Sequence, residues 1–329
     1  MTGRGPSSRA DARDIRKISP FGRNDKGSFF AFLAQPIDLG LISLRLSLGA
    51  INFVEVVLLK ILKVESEGPN LRTIAGSNPS NPLCSVAPAK FTLAVGQVHV
   101  GLVRADDAAL CMACCENLIS TVERDRAARF KFEKDRRLYT VAHAALRSIL
   151  AGYLNVAPGD LEFEIGQRGK PRLAPTFSKD SLEFNLSHSS EVALIAVTRE
   201  REIGVDVEHV KKEFAFAEVA ERYFTAREVS AIRALPEDLQ RQAFYQCWTS
   251  KEAFLKAKGV GLSGELDEVE ILIGDKGRVQ VKNTLPGWYL SQLNPCDGYV
   301  GAVALEGDEC DLRCYDWPGP AQGTRHAHP

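Results

Sequence analysis

The chain has 329 residues, 45% hydrophobic and 25% charged, enough for two or three domains with a buried core. Its 41 Lys and Arg balance 42 Asp and Glu to a net charge of -1, which argues against a general nucleic-acid binder with a basic surface. No segment has the uninterrupted apolar length of a membrane span, because Asp38, Arg45, Glu55 and Lys60 break the stretch from 28 to 62. Nor does the start of the chain have the short apolar core and cleavage site of a signal peptide.

Residues 1 to about 27 are polar, without apolar periodicity, and are expected to be disordered. Residues 28 to 65 admit one or two helices, with Leu44, Leu48, Ile51 and Leu58 near one face. That region could dock a membrane surface or a partner. Its broken periodicity is instead read as no functional domain, with translation starting downstream. Pro69, Gly76, Asn78-Pro79 and Asn81-Pro82 mark a linker ending near residue 88. Beyond it, residues 91 to 103 alternate as a strand, and Tyr139, Ala142, Leu146, Ile149, Leu150 and Tyr153 predict an amphipathic helix over 134–154. Strands follow at 161–165, 183–187, 192–198 and 202–207, then helices at 214–223, 226–234 and 237–258. Four more strands are read at 267–274, 278–282, 287–293 and 298–305. This mixture lacks a regular strand-helix-strand rhythm and indicates an α+β fold. Pro318, Gly319, Pro320 and Gly323 suggest a loose tail, 308–329.

Eight scattered cysteines do not form a disulfide framework. Cys111-Met112-Ala113-Cys114-Cys115, with Cys310 and Cys314, could supply a tetrahedral zinc site. No histidine stands at ligand spacing, so reduced, structural thiols in a cytoplasmic protein are the simpler reading. His326 and His328 fall in the loose tail, and His143 lies within the amphipathic helix.

Two segments carry chemistry. In Gly204-Val205-Asp206-Val207-Glu208, strand alternation buries the valines one way and projects both acids the other, with alpha carbons about 7 Å apart. At about 6 Å and an effective dielectric near 20, their carboxylates repel by about 3 kcal/mol. A divalent cation would relieve that repulsion, and hard oxygen ligands suit magnesium. A solvated strand edge explains this segment equally well. The second segment, Trp248-Thr249-Ser250-Lys251-Glu252-Ala253-Phe254-Leu255-Lys256, is helical in pattern. Trp248, Glu252 and Leu255 share its inward side and Lys256 lies one turn past Glu252. By itself it could be a solvated i, i+4 ion pair.

Taken together, the two segments resemble the 4'-phosphopantetheinyl transferases of the two-lobed, surfactin-synthetase-activating type. The resemblance spans about Phe91 to Glu306. Weaker matches are Gly169-Lys170-Pro171, Phe184-Asn185-Leu186-Ser187-His188-Ser189, the Arg-rich run from Arg124 to Arg137, and Gly259-Val260-Gly261-Leu262. The resemblance implies two similar, pseudo-symmetric α+β lobes at 89–200 and 201–307, after an extension over 1–88. It implies transfer of phosphopantetheine from coenzyme A to a serine of an acyl or peptidyl carrier protein, releasing adenosine 3',5'-bisphosphate. Asp206, Glu208 and Glu252 would hold Mg2+ on the coenzyme A pyrophosphate, and Glu252 would also take the serine proton. Lys256 would meet the α-phosphate and assist the leaving bisphosphate, with Lys251 a further phosphate contact. Lys170, His188 and Arg137 would grip the nucleotide end. A phosphate-binding lysine of some members falls near Glu123 here, with Arg124 and Arg126 as substitutes. A monomer is expected, without nucleic acid or stable membrane insertion. The alternatives are a magnesium-dependent hydrolase of coenzyme A or a related pyrophosphate, and a non-catalytic carrier-binding homologue.

Overall fold

The computed structural model describes residues 85–86, 91–166, 169–260, 270–273, 279–280 and 287–320. The expectations for residues 1–84, for Gly261 and Leu262, for parts of the strands read at 267–274 and 278–282, and for His326 and His328 lie outside the described residues. Two sheets and two long helices organise the rest. Strands β1 (Ser85–Val86) and β2 (Gln97–Arg104) are followed by helices α1 (Met112–Leu118), α2 (Thr121–Ala127) and α3 (Glu133–Leu154). Next come β3 (Phe163–Ile165), β4 (Pro171–Leu173), β5 (Leu182–Ser189), β6 (Val192–Arg199) and β7 (Ile203–His209). The C-terminal half contains α4 (Phe216–Tyr223), α5 (Ala226–Ala234), α6 (Glu237–Lys258), β8 (Leu272–Ile273), β9 (Val279–Gln280), β10 (Trp288–Leu293), β11 (Tyr299–Glu306) and β12 (Asp311–Asp316).

Local chemistry sets the helix limits. Ser120 with Glu123, and Thr225 with Glu228, form capping boxes that satisfy free N–H groups at the starts of α2 and α5. In α6, Glu237 and Asp238 sit in the first turn and Lys256 and Lys258 in the last, the favourable order for the helix dipole. Gly259 (φ 65°) then closes α6 in the left-handed conformation.

The five-stranded sheet runs β1-β12-β2-β6-β5 and the three-stranded sheet β10-β11-β7. Side-chain alternation sorts them into layers. Ala193, Ile195 and Val197 of β6 face α3 together with Phe184 and Leu186 of β5. Val192, Leu194 and Ala196 face the other way, onto Ile203, Val205 and Val207 of β7. Leu290, Ala302 and Ala304 lie on the opposite side of the three-stranded sheet, against Ala253, Phe254 and Ala257 of α6. The order is therefore α3, five-stranded sheet, three-stranded sheet, α6: one long helix on one sheet, twice, as the two-lobed α+β expectation requires.

Two expectations are corrected. Residues 311–316 of the supposedly loose tail form β12, which pairs in parallel with β2 (Leu312 opposite Val98, Cys314 opposite Val100) and with β1. Leu312 and Cys314 alternate into the inter-sheet core, and that burial outweighs the turn-forming residues that follow. Cys111 and Cys114 are joined as a disulfide, with alpha carbons 5.2 Å apart, whereas reduced thiols were expected throughout. The spacing places the two sulfurs at the first turn of α1, within bonding reach. Cys115, Cys247, Cys296 and Cys310 are free. Among the described residues no cluster of three or more His, Cys, Asp or Glu is placed to hold a metal.

Candidate active site

The site forms where β5, β7 and α6 meet. α6 approaches β7 closely because residue 204 is glycine. A Cβ there would lie 2.0 Å from the Ala253 carbonyl oxygen and 2.4 Å from the Ala257 nitrogen, so helix backbone rests directly on strand backbone. Asp206 and Glu208 project from the same face of β7, one and two strand repeats further on. Both are buried, at 4% and 8% exposure.

Lys256 reaches this face from the last turn of α6. Its Nζ donates to Asp206 Oδ1 at 2.6 Å and to Ser187 Oγ at 2.8 Å. Ser187 Oγ in turn donates to the same Oδ1 at 2.9 Å. Ser189 Oγ donates to Glu208 Oε2 at 2.8 Å and accepts the His209 N–H at 3.2 Å. Burial raises the pKa of Asp206, opposed by the Lys256 charge and by these hydrogen bonds. Burial and then the Asp206 charge raise Glu208 well above the usual carboxylate range. The strand edge is thus not a solvated one: two acids are enclosed together with one ammonium group.

The remaining expected residues are distributed unevenly. Glu252 is half-buried on α6, one turn before Lys256, with Trp248 and Leu255 packed inward beside it. His188 is half-buried on β5 between the two serines. Burial, then the charges of Lys256 and His143, lower its pKa to about 4. His188 is therefore a neutral hydrogen-bonding group at pH 7, not a cation. Lys170 Nζ makes an ion pair with Glu202 at 2.6 Å and donates to the Ala257 carbonyl at 3.3 Å, tying the β4 region to the end of α6. Arg137 Nε donates to the Ala105 carbonyl at 2.5 Å and Nη2 to that of Asp107 at 2.8 Å.

Lys251 was expected to contact phosphate, but it is 1% exposed and pairs with Glu228 at 2.9 Å inside the C-terminal helices. Glu228 also caps α5 and accepts the Ile271 N–H, so this charge stabilises helix packing. Among the described residues no three His, Cys, Asp or Glu side chains are grouped as they would be around a bound ion. Lys256 lies against Asp206 instead. The donor set still fits magnesium, which commonly takes one or two protein carboxylates and completes its shell with phosphate oxygens and water. Asp206 and Glu208 offer two adjacent hard acids, and Asp206 Oδ2 is buried without a hydrogen-bond partner.

Sequence reasoning missed Ser187 and Ser189 as supports, although their spacing within Asn185-Leu186-Ser187-His188-Ser189 already places three polar groups along one strand edge. It also missed the role of Glu123. That residue accepts from Arg147 Nε at 2.7 Å and lies 2.9 Å from His143 Nδ1. Burial opposes its ionisation, yet His143, Arg147 and the Ser120 N–H hold its pKa down to about 2.

Two adjoining lobes thus bring paired acids and a lysine together at their seam. Comparison with known proteins identifies the family. Residues 202–304 match the model of the 4'-phosphopantetheinyl transferase superfamily, and residues 109–200 that of 4'-phosphopantetheinyl transferase, N-terminal. The chain is 39% identical over 220 residues to the 4'-phosphopantetheinyl transferase HetI of Nostoc, covering 67% of this chain and 92% of that protein. It is 29% identical over 189 residues to the 4'-phosphopantetheinyl transferase Sfp of Bacillus subtilis, covering 57% and 82%. Over 162 residues it is 31% identical to the human L-aminoadipate-semialdehyde dehydrogenase-phosphopantetheinyl transferase, covering 46% and 52%. The chain belongs to the 4'-phosphopantetheinyl transferase superfamily.

Proposed function

We propose that this enzyme transfers 4'-phosphopantetheine from coenzyme A to a serine of an acyl or peptidyl carrier protein. The observation that carries this reading is the Lys256–Asp206 pair beside Glu208 at the seam of the two lobes. The serine oxygen bonds to the pantetheine-side phosphorus while that phosphorus loses its bridging oxygen. Adenosine 3',5'-bisphosphate leaves with the bridging oxygen. Such a displacement relies on positioning and on neutralising oxygen charge.

Asp206 and Glu208 would hold Mg2+, which when bound draws charge from the pyrophosphate oxygens. Glu252, one helical turn from Lys256, takes the serine proton, a contribution on the order of 10²- to 10⁴-fold. Lys256 exchanges its contact with Asp206 for the phosphate oxygen that gains charge, moving a compact cation a short distance. His188, neutral, supplies a hydrogen bond to the nucleotide end, and Lys170 and Arg137 support the same end by fixing neighbouring backbone. The lobes 89–200 and 201–307 act as one monomer. We propose a cytoplasmic location for it.

Intact-mass measurement of a purified carrier protein incubated with this enzyme, coenzyme A and Mg2+ tests the reading. One added phosphopantetheine per carrier is expected, and Glu252→Gln should reduce the rate at least 100-fold while remaining folded. Release of the bisphosphate without any carrier would identify a hydrolase. An unmodified carrier and intact coenzyme A would leave only a binding role.

A further inference from the structure

β5 and β7 are the edge strands of different sheets, and they lie side by side without pairing as a ladder. Side chains of β5 cross the gap instead. Asn185 Oδ1 accepts the Val205 N–H at 2.9 Å, Ser187 Oγ donates to Asp206, and Ser189 Oγ donates to Glu208. Three polar residues at a spacing of two thus hold the strand that carries the acids. The supporting atoms come from the N-terminal lobe and the acids from the C-terminal lobe.

Ser189, like Ser187, has the direction of both its hydrogen bonds fixed. The His209 N–H can only donate, so Ser189 Oγ accepts there and its own proton goes to Glu208 Oε2. This donation fixes one oxygen of Glu208, and hence the plane in which the other is presented. We infer that Ser189 is a positioning residue for this reaction: the N-terminal lobe, through its hydroxyl, orients the Glu208 carboxylate for a divalent cation. The inference rests on the metal reading given above. Hydroxyl groups that orient metal-binding carboxylates commonly affect metal affinity by 10- to 100-fold.

The test is Mn2+ titration, followed by electron paramagnetic resonance, into the full chain saturated with coenzyme A and without a carrier, so that no turnover occurs. Ser189→Ala should weaken Mn2+ binding about tenfold. Ser189→Thr, which keeps the hydroxyl, should recover it to within about threefold. The KM for Mg2+ should rise in the alanine variant while the KM for coenzyme A at saturating Mg2+ changes less than twofold, a split that general loosening would not give. Should Ser189→Ala not fold, Ser189→Cys gives the same readout, with a weak donor in place of the hydroxyl. Wild-type Mn2+ affinity in the alanine or cysteine variant, with Glu208→Gln impaired, would overturn the role of Ser189 and leave the metal reading standing. Wild-type affinity in Glu208→Gln would overturn both.

Discussion

Replacing Gly204 with alanine tests the contact on which the site is built. The added Cβ would meet the Ala253 oxygen at 2.0 Å, the Ala257 nitrogen at 2.4 Å and the Ala257 alpha carbon at 3.0 Å. All three are backbone atoms of α6, so no side chain can turn aside. The helix must retreat by roughly 1 Å or more to restore ordinary van der Waals contact. Overpacking of a core usually costs 1–3 kcal/mol, and a rigid helix against a central strand places this change at about 3 kcal/mol or above. For a folded region of this size that lowers Tm by about 6–12 °C. The same movement carries Lys256 away from Asp206, where their contact is only 2.6 Å, and a displacement of about 1 Å can cost about 100-fold in rate. The assay pairs thermal melting with carrier modification measured by mass, and uses Gly159→Ala as a control because a Cβ there meets nothing within 4 Å. A Gly204→Ala enzyme that melts within about 2 °C of wild type and modifies its carrier within about twofold would refute the reasoning.

Asp206→Asn leaves Lys256 facing an amide in a buried place, so urea unfolding should show a loss of about 2–3 kcal/mol. Relief of repulsion on Glu208 keeps this below the full cost of breaking a buried pair. A double-mutant cycle with Lys256→Met should give about 2 kcal/mol of coupling, and additive single effects would show that the pair contributes nothing specific. His188 titrates at about 4 in the folded chain against 6.5 for an ordinary histidine, so the unfolded chain takes up its proton first as pH falls. Its contribution is intact above pH 6.5 and declines toward pH 4. Measured in chelator, His188→Gln should therefore gain stability relative to wild type on acidification, by up to about 1.4 kcal/mol per pH unit. A difference that stays constant across that range would exclude the shifted histidine.

Much of this architecture was legible in the chain. The span of α6 follows from Pro236 before it, acids in its first turn, lysines in its last and Gly259 beyond. The alternation of Gly204, Asp206 and Glu208 correctly placed both acids on one face of β7. Other features depend on partners distant in sequence, which periodicity does not report. Lys251 and Lys256 occupy one helix and look equivalent in sequence, yet Glu228 draws one into the helical core and Asp206 draws the other into the seam. Strand β12 alternates clearly, but its neighbour β2 lies about two hundred residues earlier, while Pro318 and Gly319 suggested an ending. Ser187 and Ser189 became intelligible only when β7 was found beside them.

The placement of β12 also bears on the order in which the enzyme can be assembled during synthesis. Its main-chain groups fill the gap between β1 and β2, and Gln97 at the start of β2 donates a side-chain hydrogen bond to Asp311. While the ribosome is still making α6 and β11, the first sheet has an open slot beside β2 and Val98 and Val100 await part of their cover. Such long-range closure is slow relative to local helix formation. Until β12 is made, β2 therefore has one unpaired edge, and among the described strands the last in sequence completes the sheet that the first belongs to.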